Sequence, residues 1–247
     1  GGTRDSYPGR PTPYLLPRSV LTTDVTVDWN DDADVLRFLK NKAISGYERK
    51  SPWFRWEIGF TRAQLEATIN ANLASLYQIQ PQFVETLQDD GRFASTPVPE
   101  SGIGRLKDLR VAGRGGGGNL LTLEIVGSNG TFQVSKELNI RNLIRPSKLY
   151  TNEDIVIHRM QDQIVNYPML PSTSIAFEII RDAGGEIAQV IIYGGGIGHG
   201  VGMSQWGARG MAEAGYDYGE ILKSFYSDID LIDIYTVRDW QKLVFPE

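Results

Sequence analysis

His199 is one of only two histidines in the chain and stands between Gly198 and Gly200, with Ser204 and Gln205 a few residues further on. An imidazole exchanges protons near neutral pH, and a hydroxyl and a primary amide each donate and accept hydrogen bonds. That set suits an anion or a polar ligand. It suits a metal poorly: His158 and His199 with no cysteine do not make a structural zinc site, and no metal or cofactor is expected. The surrounding stretch, YGGGIGHGVGMSQWGARGMAEAG (193–215), holds nine of the chain's 27 glycines. Losing Cβ lets backbone adopt positive φ and lets another molecule approach it. Composition leaves two readings open. One is a donor-rich concavity at the start of a helix, with the imidazole beside it. The other is a tight structural turn in which His199 satisfies a carbonyl.

Known motifs narrow the chemistry. The stretch holds neither G-x-G-x-x-G nor a P-loop lysine, and GMSQW is not the G-x-S-x-G of a nucleophilic serine. Residues 113–118, GRGGGG, do fit G-x-G-x-x-G, but they lead from one strand pattern into another. Dinucleotide binding needs a helix N-terminus there, so the match is read as accidental.

The elements that must position these groups follow from periodicity. EIAQVIIYG alternates as a strand and delivers the chain into the glycines; it pairs with SIAFEIIRD in a hairpin around Ala183-Gly184-Gly185. Met203 to Ala214 reads as a helix with Met203, Trp206, Gly210, Met211 and Ala214 on one face and Gly215 as its stop. YDYGEILKSFY follows as a second helix, capped by Asp217 and Glu220. Upstream, SPWFRWEIGF (51–60) reads as an aromatic strand. Helix 62–76 follows it, with a Thr61/Gln64 capping box and Leu65, Ile69, Leu73 and Leu76 on one face. LKDLRVAGR and NLLTLEIVG flank a glycine turn, SNG turns into TFQVS, KELNIRNLI is a short helix, and 88–103 is a polar loop. Residues 1–30 form an extended lead with a strand pattern at DVTVDW. A helix capped by Asn30 or Asp31 follows, with Val35, Leu36 and Leu39 on one side. The expected class is α+β, mostly antiparallel strands with a few short helices and a glycine-rich strand–turn–helix near the C-terminus. Three regions are expected: 1–50, an extended lead and short helix; 51–160, a strand–helix–strand subdomain; and 161–247, the C-terminal signature region.

The totals bound the partners. With 247 residues, of which 41% are hydrophobic, the chain can bury a real core, and a net charge of −5 gives nucleic acid no electrostatic footprint. No apolar run nears the roughly 18 residues that span a bilayer. No signal peptide opens the chain, which is read as a mature fragment; membrane contact is expected only through an anchor outside it.

The stretch GHGVGMSQWGARGMAEAGYDYGEILKSFY closely resembles the C-terminal signature of the SpoIID/LytB family, stage II sporulation protein D and amidase enhancers. SPWFRWEIGFTRAQL, GRLKDLRVAGR…GGNLLTLEIVG and GGTRDSYPGRPTPYLLP are similar to segments preceding that signature. The resemblance implies a bacterial cell-envelope protein that cleaves peptidoglycan glycan strands already stripped of stem peptides, in partnership with a cell-wall amidase. In that lytic chemistry one acid protonates the glycosidic oxygen. The muramyl 6-hydroxyl then attacks C1 and leaves a 1,6-anhydro end without water. The alternative within the same resemblance is a non-catalytic glycan-binding module or amidase enhancer.

Departures from the family pattern matter. Its Glu-Met-Pro-like catalytic segment is not found, so the acid is expected upstream and the catalytic residue is left unassigned. The usual HYYPGT ending is replaced by Ser224-Phe225-Tyr226-Ser227-Asp228-Ile229. The substrate-binding candidates are Gly198, His199, Gly200, Ser204, Gln205 and Tyr226, with His199 also in a supporting role for the acid. Ser204 reads equally as a helix cap, and Tyr226 equally as core packing. Trp53, Trp56 and Trp206 could stack on sugar rings, with core the expected role for at least two. Glu57 is a poor substitute acid, expected on the strand face opposite Trp56 and Ile58. Arg110, Arg114, Arg141 and Arg145 fit either muramyl carboxylates or a solvated face.

Overall fold

The computed structural model describes residues 12–236. The first eleven residues of the expected lead, and with them most of GGTRDSYPGRPTPYLLP, lie outside the described residues. In chain order the elements are α1 (Asp32–Lys40), β1 (Trp56–Thr61), α2 (Arg62–Ile79), β2 (Val84–Leu87), β3 (Phe93–Ala94) and β4 (Leu106–Arg114). Then come β5 (Leu120–Gly127), β6 (Gly130–Ser135), α3 (Glu137–Leu143), β7 (Val156–Arg159) and β8 (Gln163–Val165). The chain continues through β9 (Ile175–Arg181), β10 (Ile187–Gly194), α4 (Gln205–Glu213) and α5 (Tyr218–Phe225). The class is α+β, as expected.

Two five-stranded sheets form, ordered β8-β7-β1-β10-β9 and β3-β2-β6-β5-β4, and each named strand pair is antiparallel. They share one core. Ile58 and Phe60 of β1, Val190 and Ile192 of β10, Leu123 and Ile125 of β5 and Phe132 of β6 are fully buried in it with Leu65, Ile69 and Leu73 of α2. The alternation of β1 explains its side of this core: Trp56, Ile58 and Phe60 face in, whereas Glu57, Gly59 and Thr61 face out. Among the described residues no helix is long and apolar enough to cross a membrane.

Local chemistry accounts for most boundaries. Thr61 and Gln64 make the capping box of α2, and Asp31 caps α1 by accepting from the Ala33 N–H. Helix α2 runs to Ile79, past the expected end at 76. The apolar stripe ends there, but nothing forbids helix until Pro81, which has no N–H to give. DVTVDW forms no ladder. Val27 and Trp29 instead pack against the small cluster of Val35, Leu39 and Ala176 that seats α1. The segment 51–55 is turn rather than strand, closed by bonds such as Phe54 N–H to Ser51 C=O at 3.1 Å. Helix α4 begins at Gln205, after the expected Met203, because Ser204 caps it.

Candidate functional site

Strand β10 brings the glycine segment out beside β1, with Gly194 opposite Trp56. The strand's last large side chain, Tyr193, donates its hydroxyl to Glu178 Oε2 at 3.1 Å, while Lys40 donates to the other oxygen at 2.8 Å. The Lys40 bond, with the Tyr193 bond behind it, holds the Glu178 carboxyl below the usual carboxylate range. Strand β10 is thereby tied to α1 where the bend begins.

The first half of the bend is closed. Gly194 and Gly195 are buried. A Cβ on Gly194 would run into the Trp56 indole, whose Nε1 donates to Gly196 C=O at 2.9 Å. Backbone bonds finish the clamp: Gly196 N–H to Trp53 C=O at 2.7 Å, Gly195 N–H to Ser174 C=O at 3.0 Å and Gly198 N–H to Pro171 C=O at 2.9 Å. The Ser172 hydroxyl donates to Gly195 C=O at 2.8 Å.

The second half is open. Ile197, His199, Gly200, Gly202, Met203 and Gln205 are exposed. Gly198 and Gly200 flank the imidazole with φ of +105° and +72°, conformations that L side chains rarely take. His199 Nδ1 accepts from the Val201 N–H at 3.1 Å. An accepting Nδ1 puts the proton of the neutral ring on Nε2, so the exposed ring has a donor to offer. The Ser204 hydroxyl accepts from Gly207 N–H at 3.1 Å as the cap of α4, and its own proton remains to be given. Tyr226 is half-buried at the end of α5, edge-on to Tyr14 at 6.0 Å, with its hydroxyl 3.8 Å from where a Gly202 side chain would begin. Gly198 to Gln205 thus form one continuous open stretch, and α5 brings Tyr226 to its Gly202 end.

Other candidates take different places. Trp53 and Trp56 are buried beneath the bend, and Trp206 is half-buried with the Arg209 guanidinium 5.3 Å from its ring. Glu57 sits on the outer sheet face, opposite His158 on β7 and Tyr193 on β10, with Lys42 Nζ at 3.9 Å. The four arginines are engaged internally. Arg110 pairs with Asp108 and Glu124, and Arg114 with Asp32 and two carbonyls. Arg141 pairs with Glu137 and Leu170 C=O, and Arg145 bonds Asn142.

Two neighbours escaped the sequence reading. Asn119, buried at the end of the GRGGGG turn, places its side-chain amide against Gly200 and donates to Thr173 Oγ1 at 3.3 Å. The turn set aside as an accidental motif therefore props the open half; its glycines were the available signal. Arg55, buried next to Gly195, had none, since RWE in an aromatic run reads as ordinary strand.

A family model described as a domain of unknown function (DUF8618) matches residues 78–202, a span running from the end of α2 through the second sheet and into the open bend. Over 44 residues, 18% of this chain, the sequence is 59% identical to an uncharacterized protein of Brachyspira hyodysenteriae. Over 41 residues, 17% of this chain, it is 51% identical to the amidase enhancer of Bacillus subtilis. These matches span 12% and 6% of the length of those two proteins.

Proposed function

This chain belongs to the family described as a domain of unknown function (DUF8618), and from that premise we propose that its open glycine bend receives a peptidoglycan glycan strand. The protein would be a cell-envelope component of the SpoIID/LytB type, working with a cell-wall amidase. The short identity to an amidase enhancer supports the cell-wall setting. The observation that carries the reading is the geometry at His199. Its Nδ1 is occupied by the Val201 N–H, which leaves the Nε2 donor on an exposed imidazole flanked by backbone without side chains. Sugar hydroxyls and N-acetyl groups need such donors, together with a hydroxyl such as Ser204 and an amide such as Gln205.

Lytic cleavage of denuded strands to 1,6-anhydro-muramyl ends is the finer form of this proposal. The polar side chains of residues 198–205 are one imidazole, one hydroxyl and one amide, with no carboxylic acid to protonate the leaving oxygen. The proposal therefore assigns strand recognition to residues 12–236 and the proton to an acid elsewhere in the protein.

Purified chain incubated with denuded glycan strands is expected to retain them in a pull-down and to release no anhydro-muropeptides by mass spectrometry. His199→Ala should weaken retention on the order of 10-fold, the worth of a well-placed hydrogen bond, without lowering Tm. Unchanged retention would return His199 to a turn-filling role, and anhydro products from wild type would place the acid within this chain.

A further inference from the structure

Arg55 is only 5% exposed, yet its Nε and Nη2 have no hydrogen-bond partner among the described residues. Only Nη1 is used, donating to Phe54 C=O at 2.8 Å. The guanidinium carbon lies 4.6 Å from the Phe38 ring centroid and 4.4 Å from that of Phe54, so two aromatic rings line it. Leaving donors of a buried cation unmet is costly, and proteins seldom keep such a group without a use for it.

The unmet atoms specify the partner. Nε and Nη2 form one edge of the guanidinium, a planar fork matching the two oxygens of a carboxylate. The surroundings favour an anion. Arg49 lies 5.7 Å from the same Phe54 ring and donates to Met160 Sδ rather than to a carboxylate. Arg55 is thus flanked by a like charge, with Glu48 as the opposing one. Burial first, and Arg49 second, pull its guanidinium down to about 10. Position ties it to the bend, since Nη1 lies 3.3 Å from where a Gly195 side chain would begin.

We propose that Arg55, with Arg49 beside it, is a carboxylate-recognition site beneath the glycine bend, and that its occupant is the lactyl carboxylate of a muramyl residue. The choice of occupant rests on the glycan reading above: amidase action leaves that carboxylate free, so the site would distinguish stripped strands from peptide-bearing ones. Admission requires movement of the rings that line the guanidinium, of which Phe38 lies near the end of α1. The seat of that helix is a cluster apart from the main core, Val35, Leu39 and Ala176 buried with Val27, Trp29, Leu36, Phe38 and Tyr193 packed against them, and the proposal takes α1 as the element that shifts.

The test follows the Arg55 Nε–H resonance in the full ¹⁵N-arginine-labelled chain as N-acetylmuramic acid or N-acetylglucosamine is added at matched ionic strength. N-acetylmuramic acid is expected to shift it saturably, and N-acetylglucosamine, which lacks the carboxylate, to leave it in place. By calorimetry Arg55→Lys should weaken N-acetylmuramic acid on the order of 10-fold, because an ammonium keeps the charge and loses the fork. No saturable shift, an equal response to both sugars, or wild-type affinity in Arg55→Lys overturns the proposal. A muramic acid response without strand retention in the pull-down removes the glycan reading and leaves the carboxylate site. Strand retention that is equal in wild type and Arg55→Lys does the reverse.

Discussion

The buried start of the glycine bend and its exposed continuation use the same residue under different constraints, as Gly194 and Gly198 show. A Cβ at Gly194 would run into the Trp56 indole, and one at Gly195 would press against Arg55, Phe54 C=O and Leu39 at 3.3–3.4 Å. At Gly198 nothing lies within 4 Å of where a Cβ would stand, and the constraint is the φ of +105° alone. Gly194 and Gly195 are glycine for packing, Gly196 and Gly198 for backbone shape, and Gly200 for both, since its φ is +72° and the Asn119 amide stands where its Cβ would be. A run of glycines is therefore not a single signal, and the exposed residues of this one lie in its second half.

Substitutions can break or sharpen this contrast. The largest effect is expected at Gly194→Ala. Its methyl group must displace an indole that is 3% exposed and hydrogen-bonded, a loss of about 3 kcal/mol, or roughly 10 °C in a thermal melt. Trp56→Phe in that background should recover part of the loss; a strictly additive pair would remove the packing explanation. Gly198→Ala should cost about 1 kcal/mol through its positive φ, with no coupling to Trp56. A loss as large as that at Gly194 would erase the distinction between the halves. The smallest effect is expected at Glu178→Gln, which unties Lys40 and Tyr193 from the start of the bend. The Glu178 carboxyl titrates below its ordinary 4.5 in the folded chain, so its contribution is present above that pH and fades as pH falls through the lowered value. Wild type and variant melts should differ slightly at neutral pH and converge in acid; a constant gap across pH would deny the ionic origin.

What could be read from the sequence was what neighbouring residues decide. Thr61 and Gln64 with leucines at helical spacing announced α2, and Asp217 with Glu220 announced α5, because capping and amphipathicity are local. The β9–β10 hairpin was legible for the same reason: Asp182 and Gly185 close its turn. Strands β7 and β8 were not, being four and three residues long, too short to show a period. Met203 was drawn into the helix by its spacing, and Ser204 moved the start by capping. At the site, the resemblance and the glycines pointed to His199. The burial of Trp53 and Trp56 beneath the bend depends on strand pairing, and the unmet fork of Arg55 depends on how α1, the 51–55 turn and the bend close around it. Neither is written into any spacing.

The register of β1 against β10 joins Trp56 to Gly194, partners more than half the chain apart. The bend therefore depends on a contact of high sequence separation, whose loop must close before the curvature can exist. That dependence makes the glycine signature a poor candidate for transplantation: a peptide carrying 193–226 would hold every letter of the motif and none of its curvature.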